Sequence, residues 1–205
     1  MKEYYRKAVH IAGFSLVIAA VVIGDGLALS LYAFTASLGL LLASYIVRKR
    51  AAKDLVLLKH AKRHLGKLKS DLERETVPWP FMGAFWFFFG AGLTFVLFPL
   101  NIAEASMTIV TIGDGFATII GKAFGKHRLI GKKTLEGSLA HFVFSLSAGF
   151  FVPFGHAVIA ALITTIAELI PDLPHFKKYR SLGIIDDNLL IPLVSGTVLS
   201  LVSAS

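Results

Sequence analysis

Asp114 stands inside a long apolar run, and five cations follow it: Lys122, Lys126, Arg128, Lys132 and Lys133. An acid in an apolar helix is costly unless it is paired, hydrated or bound to a metal. Gly113 and Gly115 flank Asp114, so the helix can open locally and offer backbone groups to a cavity. On a helix, Asp114, Thr118, Gly121 and Gly125 share one face, at spacings of 4, 3 and 4. That face is small and polar, and phosphate groups could approach its backbone closely. Lysine binds phosphate as a point charge and arginine binds it bidentately. Mg²⁺ typically takes one or two carboxylates and completes its shell with phosphate oxygens and water. The stretch therefore points to a Mg²⁺–triphosphate site. It is not a P-loop, because GxxxxGK[ST] is absent, and no strand precedes it as a dinucleotide-binding turn requires.

Several of these features have a plainer alternative. Gly121-x-x-x-Gly125 is also a helix-packing motif, and a loop beside a membrane span is often basic for topological reasons. Glu104 follows Asn101 by three residues, which matches a helix cap. It also lies about 15 Å from Asp114 along a helix, so the cap is the preferred reading. His141 either faces a pocket or packs in the core. His60, His64 and His127 read as surface residues, and Asp25 as part of a turn.

The elements that must hold these groups are membrane helices. Of 205 residues, 55% are hydrophobic, and the mean hydropathy is +0.70. The apolar residues fall into seven runs, roughly 8–23, 27–47, 81–98, 102–121, 139–153, 155–170 and 189–204. About 20 residues cross a bilayer core, so the shorter runs must borrow flanking residues or sit in thinner bilayer. The net charge of +8 would suggest nucleic acid in a soluble protein. Here all 21 Lys and Arg lie before the first run, at 48–74, at 122–133 and at 177–180. With seven alternating spans these stretches share one side, which the positive-inside rule makes cytoplasmic. The N-terminus is then inside and the C-terminus outside. The Leu stripe of 48–76 predicts a basic amphipathic helix on anionic headgroups, and Pro78-Trp79-Pro80 stops it. The expected fold class is an all-α, polytopic helical bundle forming a single membrane-embedded domain over 1–205. There are no cysteines, which excludes disulfides and thiolate metal sites.

The stretch from Gly113 to Ser138, GDGFATIIGKAFGKHRLIGKKTLEGS, resembles the signature of the CTP-dependent lipid kinases: dolichol kinase, phytol kinase and the fungal-type diacylglycerol kinase. These are relatives of the phosphatidate cytidylyltransferases. Arg6-Lys7-Ala8-Val9-His10 resembles the family's Arg-Lys-x-x-His start. Glu168, then Asp186-Asp187-Asn188-Leu189 with Pro192, resembles its closing Asp-Asn motif. The chain is short for a dolichol kinase and matches the catalytic core.

The resemblance implies transfer of the CTP γ-phosphate to a membrane lipid alcohol, most naturally a polyprenol or dolichol, at the cytoplasmic face of a cytoplasmic or ER-type membrane. Asp114 would hold Mg²⁺. Asp187 would be a second metal ligand or a general base, oriented by Asn188, and Glu168 would join the metal or pair with a loop lysine. Lys122, Lys126, Lys132 and Lys133 would neutralise phosphates. Thr134 and Ser138 would donate to phosphate or ribose oxygens, while Gly125 and Gly137 give close approach. Glu136 would hold a lysine, bind metal or cap the next helix. Arg6, Lys7 and His10 would complete the pocket. CTP, the lipid alcohol and the bilayer are the expected partners, and nucleic acid is not. The rival readings are a cytidylyltransferase acting at the α-phosphate and a transporter with a basic vestibule.

Overall fold

A computed structural model describes residues 13–48, 81–176 and 186–204. The segment expected as an amphipathic helix (48–76, apart from its first residue) and the residues Arg6, Lys7 and His10 lie outside the described residues. The described chain is helical, with no strand beyond one isolated bridge between Arg128 and Thr134. Helix α1 is Ser15–Ile23, α2 is Gly26–Arg48 and α3 is Met82–Leu97. Helix α4, Leu100–Thr108, continues through a π-helical turn, Ile109–Gly113, into α5, Asp114–Phe124. Helix α6, Leu135–Ser145, ends in a 3₁₀ turn at Leu146–Phe150. Helix α7 is Phe154–Ala167, a 3₁₀ turn covers Ile170–Asp172, and α8 is Asp187–Ser203.

Three stretches are long and apolar enough to cross a membrane: Gly26–Ile46, Leu100–Phe124 and Phe154–Asp172. Met82–Leu97 and Asp187–Ser203 are apolar but shorter. The central stretch starts earlier and ends later than the run read at 102–121. Pro99 immediately precedes it, at φ −51°, as suits a residue with fixed φ and no N–H to leave unpaired. This overturns the expected Asn101–Glu104 cap. Asn101 lies inside the helix, and Glu104 is buried at 8% exposure rather than turned back to the helix start. Pro153 stands in the same place before α7.

The packing is inverted relative to a water-soluble bundle. Ala20, Ala33, Ala91, Ala103, Ala105, Ala148, Ala157 and Ala160 are fully buried, while Val22, Leu27, Leu31, Leu38, Leu162 and Ile166 are exposed. Small residues inside let helix backbones approach closely, and large ones outside suit hydrocarbon surroundings. Buried hydroxyls bond back to their own helices: Thr94 to Gly90 O, Ser106 to Ile102 O, Thr111 to Met107 O and Thr164 to Ala160 O, at 2.6–2.7 Å. That leaves them no demand for water.

Every residue from 102 to 111 is buried, so α4 and the π turn form the centre of the bundle. The expected local opening at Asp114 takes the form of that π turn, not of an unwound segment. Gly113 serves a different purpose from the one its sequence position suggests. A Cβ there would meet Ser145 Oγ at 2.2 Å, so only glycine lets α6 approach this closely.

The two ends of the bundle differ in chemistry. At one end Gly24, at φ +66°, closes α1, and Asp25 Oδ1 accepts from the N–H groups of Leu27 and Ala28. Gly26 packs on Phe95 O, and Ser203 Oγ lies 3.3 Å from His156 Nδ1. The opposite end gathers the basic loop, the end of α7 and the start of α8.

Gly113→Ala is expected to destabilise the bundle by about 1–3 kcal/mol, the usual cost of overpacking. Gly39→Ala, where a Cβ meets nothing within 4 Å, should be neutral or stabilising by up to about 1 kcal/mol. Thermal unfolding in detergent compares the two, and equal behaviour would contradict the close α5–α6 contact.

Candidate functional site

The loop between α5 and α6 folds as a small hairpin. Leu135 N donates to His127 O at 2.8 Å, Leu129 N to Lys133 O at 3.0 Å and Lys133 N to Ile130 O at 2.9 Å. Gly131, at φ +57°, makes the tip and packs against the Asp172 side chain. Few residues other than glycine adopt that backbone readily. At the base, Glu136 accepts from His127 N through both oxygens, at 3.2 and 3.3 Å, and lies 2.7 Å from His127 Nδ1. Hydrogen bonds from its own backbone N–H, and then from His127, pull the Glu136 carboxyl down to about 2. Thr134 caps α6 by accepting from Gly137 N.

This turn separates Lys133 from the other loop cations. Lys122, Lys126, Arg128 and Lys132 are exposed. The Lys133 side chain, 16% exposed, turns inward, with its Nζ 2.5 Å from Glu168 Oε1 and 3.4 Å from Asp187 Oδ2. Burial alone would lower the lysine pKa. The charges of Asp187, Glu168 and Asp114 outweigh it and hold the ammonium above its ordinary range. Asp114 is 1% exposed at the start of α5. The hairpin, the end of α7 and the start of α8 thus bring one cation and two carboxylates together, with the charge of Asp114 felt there as well. Within the buried interior, Glu168 Oε2 and Ser138 Oγ accept or donate no hydrogen bond among the described residues.

Neighbouring groups fix this arrangement. Asp186 caps α8 through Asn188 N at 2.9 Å. Asn188 Nδ2 donates to Gly83 O at 3.1 Å and ties α8 to α3. His141 is fully buried and belongs to the core beside Gly113. The Thr165 hydroxyl donates to Ala161 O at 2.7 Å, so it can only accept from His141 Nδ1, 2.9 Å away. That network selects the Nδ1–H form of the ring.

Several sequence expectations change. The face of Gly121, Gly125 and Gly137 is not open to phosphates. A Cβ at Gly121 or Gly137 would strike the other glycine's backbone, and one at Gly125 would strike Gly121 O and Thr134. Gly121 and Gly137 pack helix to helix, and Gly125 is enclosed by the Gly121 carbonyl of its own helix and the Thr134 side chain. Glu136 braces the hairpin through His127, which is exposed but has a partner. Of the two readings of Glu168, the ion pair with a loop lysine is the one present. The hairpin lysine, Lys133, also feels the charge of Asp114. Spacing gave no means of choosing Lys133 from five cations, and Thr165 escaped notice as an ordinary apolar-helix hydroxyl.

Among the described residues, no three His, Cys, Asp or Glu side chains converge as a metal cage. The carboxylates converge on an ammonium instead. This donor set fits a Mg²⁺ that arrives with phosphates and uses one or two carboxylates, not a preformed structural site. Glu168 Oε2 is the acceptor left with capacity. No family model, curated protein or solved structure matches the chain.

Lys133→Ala removes the ion-pair partner of buried Glu168 and should cost about 3–5 kcal/mol, whereas the exposed Lys132→Ala should stay within about 0.5 kcal/mol. Adding Glu168→Gln to Lys133→Ala should recover part of the loss. Thermal unfolding of the four proteins closes the cycle, and additive losses would dissolve the pair.

The Glu136 brace has a pH signature. A carboxyl whose folded pKa lies below its unfolded value stabilises the fold above the unfolded value. That contribution is lost as pH falls through the folded one. Hairpin protection from proteolysis should therefore decline from about pH 4.5 towards about 2. Glu136→Gln should lack this acid limb, and an unchanged limb would assign it elsewhere.

Proposed function

We propose that the chain is a membrane-embedded phosphotransferase that moves the γ-phosphoryl group of CTP to the hydroxyl of a polyprenol- or dolichol-type lipid alcohol. The observation that carries this reading is the meeting of Lys133, Glu168 and Asp187 at the end of the bundle where the basic loop lies, within the electrostatic reach of Asp114. Ionisable groups among membrane helices mark functional sites by default. The resemblance of the 113–138 stretch to the CTP-dependent lipid kinases supplies the nucleotide and the acceptor class.

The alcohol oxygen attacks the γ-phosphorus, the bond to the β,γ-bridging oxygen breaks, and CDP leaves. A loose transition state needs positioning more than a strong base, and Asp187 would take the hydroxyl proton. Asp114 and Asp187, with Glu168 beside them, would hold Mg²⁺, which supplies positive charge to the phosphates when bound. The exposed Lys122, Lys126 and Lys132 attract the nucleotide and stabilise charge on its oxygens. Seven spans with the N-terminus inside put these cations in the cytoplasm, as positive-inside sorting favours. A cytosolic nucleotide and a membrane alcohol can then meet at one interface.

Topology is tested by single cysteines. Cysteine at Lys126 should react with an impermeant reagent only from the cytoplasmic side, and cysteine at Ser205 only from outside. Reaction of both from one face would remove the seven-span arrangement.

Activity is tested with γ- or α-labelled CTP, Mg²⁺ and a panel of lipids. The γ-label should enter a lipid alcohol, in preference to label from ATP. Entry of the α-label with pyrophosphate release would place the protein with the cytidylyltransferases. Asp114→Asn should abolish transfer while leaving thermal stability close to wild type, since it removes one of three clustered negative charges. Near-normal turnover in that variant would remove Asp114 from the site.

A further inference from the structure

The hairpin that turns Lys133 inward carries large apolar side chains on its outside. Leu129 in the hairpin is 45% exposed, and Phe124, at the end of α5, is 68% exposed. Leu135, Leu139 and Val143, spaced by four, continue as one exposed stripe of α6. Helix α6 packs against α5 and α7, and both belong to stretches long and apolar enough to cross a membrane. Large apolar residues on the outside of such a bundle suit hydrocarbon, and the hairpin begins where that stripe ends. Its depth is fixed from the other side. The Gly131 tip packs against the side chain of Asp172, the last residue of the membrane-length stretch Phe154–Asp172. The hairpin therefore lies over the helix ends, at the level where headgroups meet acyl chains, and does not stand off into water. Arg128, beside Leu129, is exposed. Its guanidinium makes one long hydrogen bond among the described residues, 3.4 Å to Gly131 O, and keeps a fork of donors that fits phosphate bidentately.

We propose that the outer side of the hairpin is a lipid-binding surface, with Leu129 seated at the acyl boundary and Arg128 on the phosphate of an anionic headgroup. Basic segments with apolar side chains bind bilayers in this way, by burying apolar area and by attraction to anionic lipid. The two sides of the hairpin then have different partners. Lys133 reaches the carboxylates of the bundle, while Arg128 and Leu129 hold the turn against the bilayer. Neither Arg128 nor Leu129 is assigned to nucleotide or metal, and headgroup binding requires no phosphoryl transfer. Its outcome is therefore separate from that of the kinase assay.

The chain has no cysteine, so a single introduced thiol reports on the surface. Leu129→Cys and, as an exposed reference, Lys132→Cys are placed as full chains in nanodiscs of phosphatidylcholine, or of an equal mixture with phosphatidylglycerol. Each reacts with a neutral, water-soluble maleimide. The rate at Leu129→Cys relative to Lys132→Cys should fall roughly fivefold when phosphatidylglycerol is present, the factor that one cation gains at an anionic leaflet. Adding Arg128→Gln should remove that fall. An unchanged ratio, or a fall that survives Arg128→Gln, would overturn the proposal. Inorganic phosphate added to the phosphatidylcholine discs should leave the ratio as it was. A fall there would make Arg128 a site for soluble anions and would overturn the lipid assignment. Depth is read separately by electron paramagnetic resonance. A nitroxide on Leu129→Cys should collide with oxygen more than with a water-soluble nickel complex, and the reverse order would reject the seat at the acyl boundary.

Discussion

Glu168 and Asp187, held at the end of an apolar helical bundle, need positive charge, and a loop lysine, Lys133, reaches both. Burying an ion without a partner costs several kcal/mol even after the surroundings relax. Glu168 follows the last residue of α7 and Asp187 opens α8. Lys133 answers this demand only if the hairpin has its particular shape. The left-handed Gly131 reverses the chain, Glu136 pins the base through His127, and Thr134 starts α6 directly after Lys133. The same hairpin sets α6 against α5, where Gly121 and Gly137 meet backbone to backbone. One electrostatic requirement thus couples loop conformation, helix capping and helix packing.

Close packing by small residues makes the rest possible. Between helices in hydrocarbon, association depends on van der Waals contact and hydrogen bonds more than on the exclusion of water. Gly113 lets Ser145 approach, and the π turn just before Asp114 gives the central helix a local change of pitch. Single π turns within α-helices frequently accompany functional sites. This one stands between a core of buried alanines and threonine hydroxyls and the acid that opens α5. His141, held by Thr165, packs against the same glycine. Its ring is part of what keeps α5 and α6 in register beneath the cluster.

Much of the architecture was legible because the signals are local. Pro99, Pro153 and the Gly24-Asp25-Gly26 turn mark helix boundaries by backbone chemistry, and the apolar runs between them give helices at nearly the expected positions. Asp114 was legible as well, since an acid in an apolar run has few neutral explanations. What was not legible depends on which surface covers which. Spacing places Gly121 and Gly125 on one face, but it cannot tell whether phosphate or α6 lies over that face. It lists five cations without showing which of them a left-handed glycine turns inward. Glu104 was misread because an Asn-x-x-Glu spacing was weighed and the proline two residues before it was not. Glu168 sat between two readings, metal ligand and lysine partner, until Lys133 was placed beside it.

The asymmetry of the bundle bears on what kind of function it can support. A transporter must offer polar groups along a route that reaches both ends, with its site near the midplane. Here the polar cluster joins the basic loop at one end. The described turns at the other end carry no Lys or Arg, and Asp25 there is occupied in capping α2. Between the ends, buried hydroxyls bond to their own helices and present little to a passing ion. An interfacial enzyme has the opposite requirement. Its water-soluble substrate should meet exposed cations, and its lipid substrate should reach the reacting atoms from the side. Four exposed loop cations standing beside a shielded set of carboxylates satisfy that requirement. The exposed charges face water, and the shielded ones lie where the local dielectric is low and each charge counts for more.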